Sequence, residues 1–159
     1  TPQGAHRNKK RSGRMVVKKF ELLLQESVEW ERDYDVILNT SEDVADFAFH
    51  GLQAHTWDRE KFVAIALNSK AMVIGYNVVS IGSLSTTTVH PREVIKFAVM
   101  ANAAAVILLH NHPSGDVTDI ETTMRLSEAL KLVGIKVLDH IITGEKDSFL
   151  ALYRAGYIE

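Results

Sequence analysis

The sequence contains no cysteine, and this absence narrows the kinds of protein it can encode. A disulfide framework and any thiolate metal site are excluded, so a bound metal would need histidine and carboxylate ligands. Long apolar runs are missing too. The longest, residues 97–109, contains Asn102 and falls short of the roughly 18 residues that a membrane span requires. We therefore expect a soluble cytoplasmic protein without a membrane partner.

Basic and acidic residues are distributed unevenly along the chain. Residues 1–19 contain seven of the 18 Lys and Arg residues and no acid, whereas 11 basic residues face 20 acidic ones in the remainder, which gives −9. We expect the arm, residues 1–19, to be disordered and to be the one region suited to weak DNA contact. The acidic remainder, residues 20–159, is expected to form a single domain without a general phosphate-binding surface.

Apolar periodicity predicts a mixed α/β domain in the order helix, hairpin, helix, strand, helix, hairpin. Residues 15–31 suit an amphipathic helix and an edge strand equally well. The predicted helices cover residues 40–55, a segment that starts at Pro91, and a segment that starts at Thr118 and ends at Gly134. The predicted strands are residues 62–67, 72–81, 105–109, 135–143 and 148–153.

Several side chains define these helices in more detail. Thr40-x-x-Asp43 and Thr118-x-x-Glu121 are typical of N-terminal capping boxes, and Pro91 is typical of a first helical residue. The apolar faces follow from the helical spacing. They are predicted to consist of Val44, Phe47, Ala48 and Leu52 in the first helix, Val94, Phe97, Ala98 and Ala101 in the second, and Ile120, Met124, Ser127 and Leu130 in the third.

The segment His110-Asn111-His112-Pro113-Ser114-Gly115 follows an apolar run that is typical of a buried strand. Residues two apart on a strand share a face, so His110 and His112 are predicted to point the same way, as two ligands of one metal must. Pro113 and Gly115 end the strand there, which places the pair at the rim of the sheet. Two ordinary histidines, one buried and one solvated, explain the spacing equally well.

A catalytic zinc usually takes three protein ligands, so the two histidines need a third partner. Asp116 and Asp119 are the nearest carboxylates downstream. Asp119 would lie in the first turn of a helix, where the helix dipole also favours an acid without any metal. Glu60, just before a strand, and Glu93, just after Pro91, are the two candidates for a base that activates a bound water.

Three segments together resemble the RadC family, a bacterial branch of the JAB/MPN (JAMM) metalloprotease-like proteins. They are Val89-His90-Pro91-Arg92-Glu93, residues 110–116, and Val137-Leu138-Asp139-His140-Ile141-Ile142, within a likeness that covers about residues 42–157. The resemblance implies a JAB/MPN fold with cytidine-deaminase-like layering and one Zn²⁺ per chain, held by His110, His112 and Asp119. It also implies that Glu60 is the catalytic base.

The sequence departs from the family pattern after the second histidine. The pattern has a serine eight residues after this histidine and the aspartate three further on, but Ile120 and Thr123 occupy those places. About four residues are missing between Thr118 and Asp119. Either the loop is truly shortened, which puts the ligand set and the activity in doubt, or the protein has a disordered loop here that the sequence leaves out. We expect the second, with a break or distorted geometry at residues 118–119.

Two functions follow from these features. The first is a zinc-dependent hydrolase of peptide or isopeptide bonds in a peptide or protein substrate, in which Ser114 could replace the missing serine as an oxyanion donor. The second is a non-catalytic module associated with DNA repair or mobile elements, with DNA contact through residues 1–19. The helical DNA-binding-type region of full-length relatives is also missing, so we expect a short form.

Asp139 and His140 are adjacent in a predicted strand, and alternation therefore places their side chains on opposite faces. They cannot both reach one site, so at least one of them is expected to be structural. The other histidines, at positions 6, 50, 55 and 90, have no ligand spacing and are expected to be solvated or to cap helices.

Overall fold

The fold is seen in a computed structural model that describes residues 36–82, 89–111, 117–145 and 147–159, with the backbone alone at residues 117–119. The predictions for residues 1–19 and 15–31 lie outside these ranges. In chain order the elements are α1 (Ser41–Asp46), a π-helical turn (Phe47–Gly51), a 3₁₀ turn (Ala54–Thr56), β1 (Lys61–Leu67), β2 (Val73–Ile81), α2 (Pro91–Met100), β3 (Ala105–Asn111), α3 (Val117–Lys131), β4 (Lys136–Thr143) and β5 (Phe149–Ala151). The predicted order of elements is confirmed.

The strands in these ranges form one mixed sheet in the order β2-β1-β3-β4-β5. β3 and β4 are parallel, and the other neighbours are antiparallel. β3 is the central strand, and every residue from Ala105 to His110 is buried. A strand covered on both faces needs a continuous apolar sequence, and this explains the run that precedes the histidines.

Apolar side chains cover both faces of the sheet. On one face, α2 and α3 pack through Val94, Ala98, Leu126 and Leu130 against residues that include Phe62 and Leu108. On the other face, Val44, Phe47 and Ala48 pack against residues that include Ile65 and Leu109. The result is a mixed α/β layering, which agrees with the fold that the resemblance to JAB/MPN proteins implies.

The predicted start of the first helix is confirmed, but its predicted end is wrong. The Thr40 hydroxyl accepts a hydrogen bond from the Asp43 amide, and the Asp43 carboxylate accepts one from the Thr40 amide, which completes the capping box. The α-helix stops at Asp46 and continues as a π-helical turn as far as Gly51. Phe47, Ala48 and Phe49 are buried in succession, a wider arc than the apolar stripe of a surface helix.

Pro91 is the first residue of α2, as predicted, and Val94 and Ala98 are fully buried beneath it. The predicted apolar face of α3 is partly wrong. Thr123, Leu126 and Leu130 are buried, whereas Met124 is 52% exposed. The inward face therefore includes a polar residue, Thr123, that hydropathy alone does not reveal.

The backbone at residues 118–119 is regular helix, so the predicted break or distortion there is wrong. α3 begins at Val117 and runs without interruption to Lys131. Thr118 is therefore inside the helix and is not its N-cap. The predicted closure at Gly134 is confirmed, because Gly134 has a φ of 74° and directly follows the helical turn. Within the described residues, no helix is both long and apolar enough to cross a membrane.

Replacing Leu126 by Ala tests which face of α3 is buried. We expect Leu126→Ala to lower the free energy of unfolding by about 2–5 kcal/mol, because it leaves a cavity beneath the helix. Met124→Ala, at a position of α3 that is 52% exposed, should change it by less than about 0.5 kcal/mol. Urea denaturation measures both values. Equal losses in the two variants would contradict the assignment.

Candidate functional site

His110 lies at the C-terminal end of the central strand, with its side chain fully buried. Its backbone pairs with Phe62 of β1 on one side and with Ile142 of β4 on the other. The Phe62 ring packs against the imidazole, with 6.2 Å between the ring centroids. The strand neighbours and this aromatic contact hold the His110 ring in one place. The prediction that this histidine lies at the rim of the sheet is confirmed.

Glu60 immediately precedes β1 and reaches the same rim. Its Oε2 lies 4.0 Å from Nε2 of His110, within ion-pair distance but beyond hydrogen-bond length. The Glu60 side chain is 28% exposed, whereas that of His110 is only 1% exposed. Part of the Glu60 side chain is therefore open to solvent, but its Oε2, the oxygen that faces His110, is buried. A carboxylate in this position can accept a proton from a water held at the imidazole.

Asn111 fixes the segment that carries Glu60, a role that the sequence analysis missed. Its Oδ1 accepts a hydrogen bond from the Lys61 amide at 2.6 Å, and its Nδ2 donates one to the Arg59 carbonyl at 2.9 Å. The Glu60 carbonyl accepts a further bond, at 2.7 Å, from the Gly82 amide at the end of β2. The backbone around Glu60 is therefore held from both sides. The only signal in the sequence is that an asparagine follows His110 at a strand end.

The other predicted site residues fall largely outside the described structure. His112, Ser114 and Asp116 lie between residues 112 and 116, which are not described. Asp119 is the third residue of α3, in the first turn as predicted, and its side chain is not described. Among the described residues, no three His, Asp or Glu side chains converge as a metal site would require.

His140 is buried one strand away from His110 and joins β4 to α3. Its Nδ1 lies 2.5 Å from the Thr123 hydroxyl, and its ring meets the edge of Phe62 with 5.4 Å between centroids. Phe62 therefore touches both imidazoles. This hydrogen bond joins α3 to β4 one helical turn after position 119.

Asp139 lies on the opposite face from His140, as the strand alternation predicted. Its carboxylate accepts hydrogen bonds from the Ser41 hydroxyl at 2.9 Å, from the His140 amide at 2.8 Å and from the Tyr153 amide at 3.0 Å. These three contacts tie α1, β4 and the segment after β5 together. Asp139 is structural, and the expectation that at least one of the two residues would be structural is confirmed.

Glu93, the second candidate for the base, is already engaged in α2. Its Oε2 lies 2.6 Å from Nζ of Lys96, one helical turn away. This hydrogen bond and the charge of Lys96 lower the pKa of the Glu93 carboxyl, which makes it a weaker base. Of the two glutamates, Glu60 is the one that approaches His110.

Known proteins match most of this chain. A family model described as a RadC-like JAB domain matches residues 38–157. A UPF0758 protein of Staphylococcus haemolyticus is 42% identical over 136 residues, which cover 82% of this chain and 58% of the relative. A UPF0758 protein of Desulforamulus reducens is 46% identical over 127 residues, 77% of this chain and 55% of the relative. The chain thus spans about half the length of these curated relatives.

The bond between Thr123 and His140 can be tested by removing the hydroxyl. Thr123→Val keeps the shape of the side chain but deletes this hydrogen bond inside the protein, so we expect a loss of about 1–3 kcal/mol in the free energy of unfolding. Thr122→Val, at the neighbouring and partly exposed position, is the matched control and should cost less than about 0.5 kcal/mol. Chemical denaturation of both variants checks the difference. A Thr123→Val protein as stable as its control would rule the bond out as an anchor.

The lowered pKa of Glu93 predicts how this carboxyl should titrate once Lys96 is removed. A carboxyl whose pKa is lower in the folded than in the unfolded protein stabilises the fold at pH values above its unfolded-state pKa. This stabilisation is lost as the pH falls through the folded-state pKa. Lys96→Met should therefore raise the pKa of Glu93 towards its usual range. A carboxyl-detected NMR titration of both proteins measures the change. An unchanged Glu93 titration in the variant would show that Lys96 is not its cause.

Proposed function

Because this chain belongs to the family of RadC-like JAB domains, we propose that it is a zinc-dependent hydrolase of peptide or isopeptide bonds. The observation that carries this proposal is the approach of Glu60 to His110, with 4.0 Å between Oε2 and Nε2. A buried imidazole beside the carboxylate of a partly exposed glutamate, at the rim of a central strand, suits a metal ligand beside a general base. The proposal concerns this domain, which spans about half the length of its curated relatives.

The residues at the rim fit zinc in their chemistry. Imidazole nitrogen and carboxylate oxygen are ordinary zinc ligands, and the chain has no thiolate to compete with them. We propose that His110, His112 and Asp119 hold the ion, one per chain. When bound, zinc supplies a Lewis acid that polarises a carbonyl and lowers the pKa of a water to about 7.

The protein side of the reaction falls mainly to Glu60. Its Oε2 would accept a proton from the attacking water and then give that proton to the nitrogen of the leaving amine. His110 would bind and orient, since its ring is held by Phe62 and by two neighbouring strands. The family's usual serine is missing from its expected position, and we propose Ser114 as the donor to the carbonyl oxygen.

A second candidate is a non-catalytic module that contacts DNA through residues 1–19. The observation in its favour is the charge of that arm, with seven basic residues and no acid. The net charge of −9 on the remainder opposes a broader nucleic-acid surface. DNA binding of this kind would be lost on trimming residues 1–19, would weaken steeply with salt, and would not depend on His110.

Zinc content and cleavage together test the proposed reaction. Elemental analysis of protein purified without added metal or an affinity tag should find close to one zinc per chain, and His110→Ala should lose it. Glu60→Gln should keep the zinc but cleave a library of quenched fluorescent peptides, including isopeptide-linked members, about 10²–10⁴-fold more slowly. Glu93→Gln is the matched control and should cleave normally.

Two results would contradict the proposal. Zinc-loaded protein that cleaves no member of the library would remove the catalytic function. Glu60→Gln protein with undiminished cleavage would remove Glu60 from its role as the base. Salt-sensitive DNA binding that needs residues 1–19, in a protein without zinc, would favour the non-catalytic module.

A further inference from the structure

We propose that Asn111 is a positioning residue that holds Glu60 at a fixed distance from His110 by clamping the backbone on both sides of Glu60. The proposal rests on the proposed function, because it assigns a role towards the same reaction. It concerns a residue that binds neither the metal nor the substrate. It explains why an amide side chain stands between the two histidines.

The clamp begins where the backbone pairing of β1 and β3 ends. The last pair in the register of these antiparallel strands is Phe62 with His110. One residue further on, Lys61 and Asn111 continue the contact through the asparagine side chain, at 2.6 Å from the Lys61 amide to Oδ1. The side chain thus adds one more link to the strand pair, directly beside Glu60.

Because of its second hydrogen bond, Asn111 can be replaced only by a side chain that both donates and accepts, as an amide does. Nδ2 donates to the Arg59 carbonyl at 2.9 Å, while Oδ1 accepts from Lys61. A carboxamide has both a donor and an acceptor on one planar group, which a carboxylate of the same shape lacks. Aspartate could keep the bond to Lys61 but would place a charged acceptor against the Arg59 carbonyl. Alanine would lose both bonds.

The two bonds act on the residues either side of Glu60. Arg59 and Lys61 are held by Asn111 of β3, and the Glu60 carbonyl is held by the Gly82 amide at 2.7 Å. The backbone of residues 59–61 is therefore fixed against β3, which also carries His110. A carboxylate that must transfer protons at one point gains rate from this fixed geometry, since small displacements of a catalytic group are costly.

Asn68 provides a matched control at the other end of β1. Its Oδ1 accepts hydrogen bonds from the Lys70 amide at 2.9 Å and the Met72 amide at 3.1 Å, in the turn between β1 and β2. Asn68→Ala therefore also deletes two bonds from a side chain to the backbone, far from Glu60 along the same strand. A general weakening of the sheet would affect both variants alike.

The test compares Asn111→Ala, Asn111→Asp and Asn68→Ala in the full chain loaded with Zn²⁺. With a cleaved member of the peptide library, we expect Asn111→Ala to lower kcat at least tenfold with KM within threefold of wild type and zinc content unchanged. Asn111→Asp should lower kcat in the same direction, and Asn68→Ala should leave it within twofold. In a Glu60→Gln background, Asn111→Ala should lower kcat by less than a further twofold, because Asn111 acts through Glu60.

Amide hydrogen exchange gives a readout that does not need activity. The Lys61 amide should exchange at least tenfold faster in Asn111→Ala and remain within twofold of wild type in Asn68→Ala. Exchange that is unchanged in Asn111→Ala, a kcat within twofold of wild type, or an equal loss of rate in the Glu60→Gln background would each overturn the proposal. If wild-type protein holds zinc but cleaves nothing, the proposed function fails, and the exchange of Lys61 still decides whether Asn111 clamps this segment.

Discussion

The pairing of the start of β1 with the end of β3 is the constraint on which the candidate site depends. Glu60 and His110 are 50 positions apart in the chain, and they meet because Phe62 pairs with His110 in the antiparallel register. A register slip of one residue would turn every side chain of β1 to the opposite face of the sheet. Phe62 and Ala64 pack in one layer and Val63 and Ile65 in the other, so a slip would put side chains of the wrong size into both layers. The packing of the core thus fixes the geometry of the rim.

Two polar anchors hold the layers in register on either side of the sheet. Asp139 binds Ser41 of α1 on one face, and His140 binds Thr123 of α3 on the other. Buried polar groups stabilise a fold only when they are hydrogen-bonded, and such bonds specify one arrangement where apolar contacts allow several. The second anchor lies next to the site, because Phe62 touches both His140 and His110.

The apolar pattern was sufficient to predict the order of the elements, the buried central strand and the position of His110 at its end. These features depend on local periodicity and on turn residues such as Pro91 and Gly134, which act within a few positions. The role of Asn111 could not be predicted, because its partners lie about 50 residues away. The inward face of α3 was misjudged for a similar reason. Thr123 shares the buried face of α3 with Leu126 and Leu130, where His140 on β4 is its hydrogen-bond partner, and hydropathy does not register such a bond.

The approach of Glu60 and His110 acquires its chemical meaning only if a metal ion binds at His110. Anomalous diffraction at the zinc absorption edge, from crystals of the zinc-loaded protein, tests this point most directly. We predict one strong peak about 2.0–2.1 Å from Nε2 of His110, with the Glu60 carboxylate close by but outside bonding distance. Zinc-loaded crystals without a peak at His110, or with Glu60 itself bound to the ion, would contradict the account.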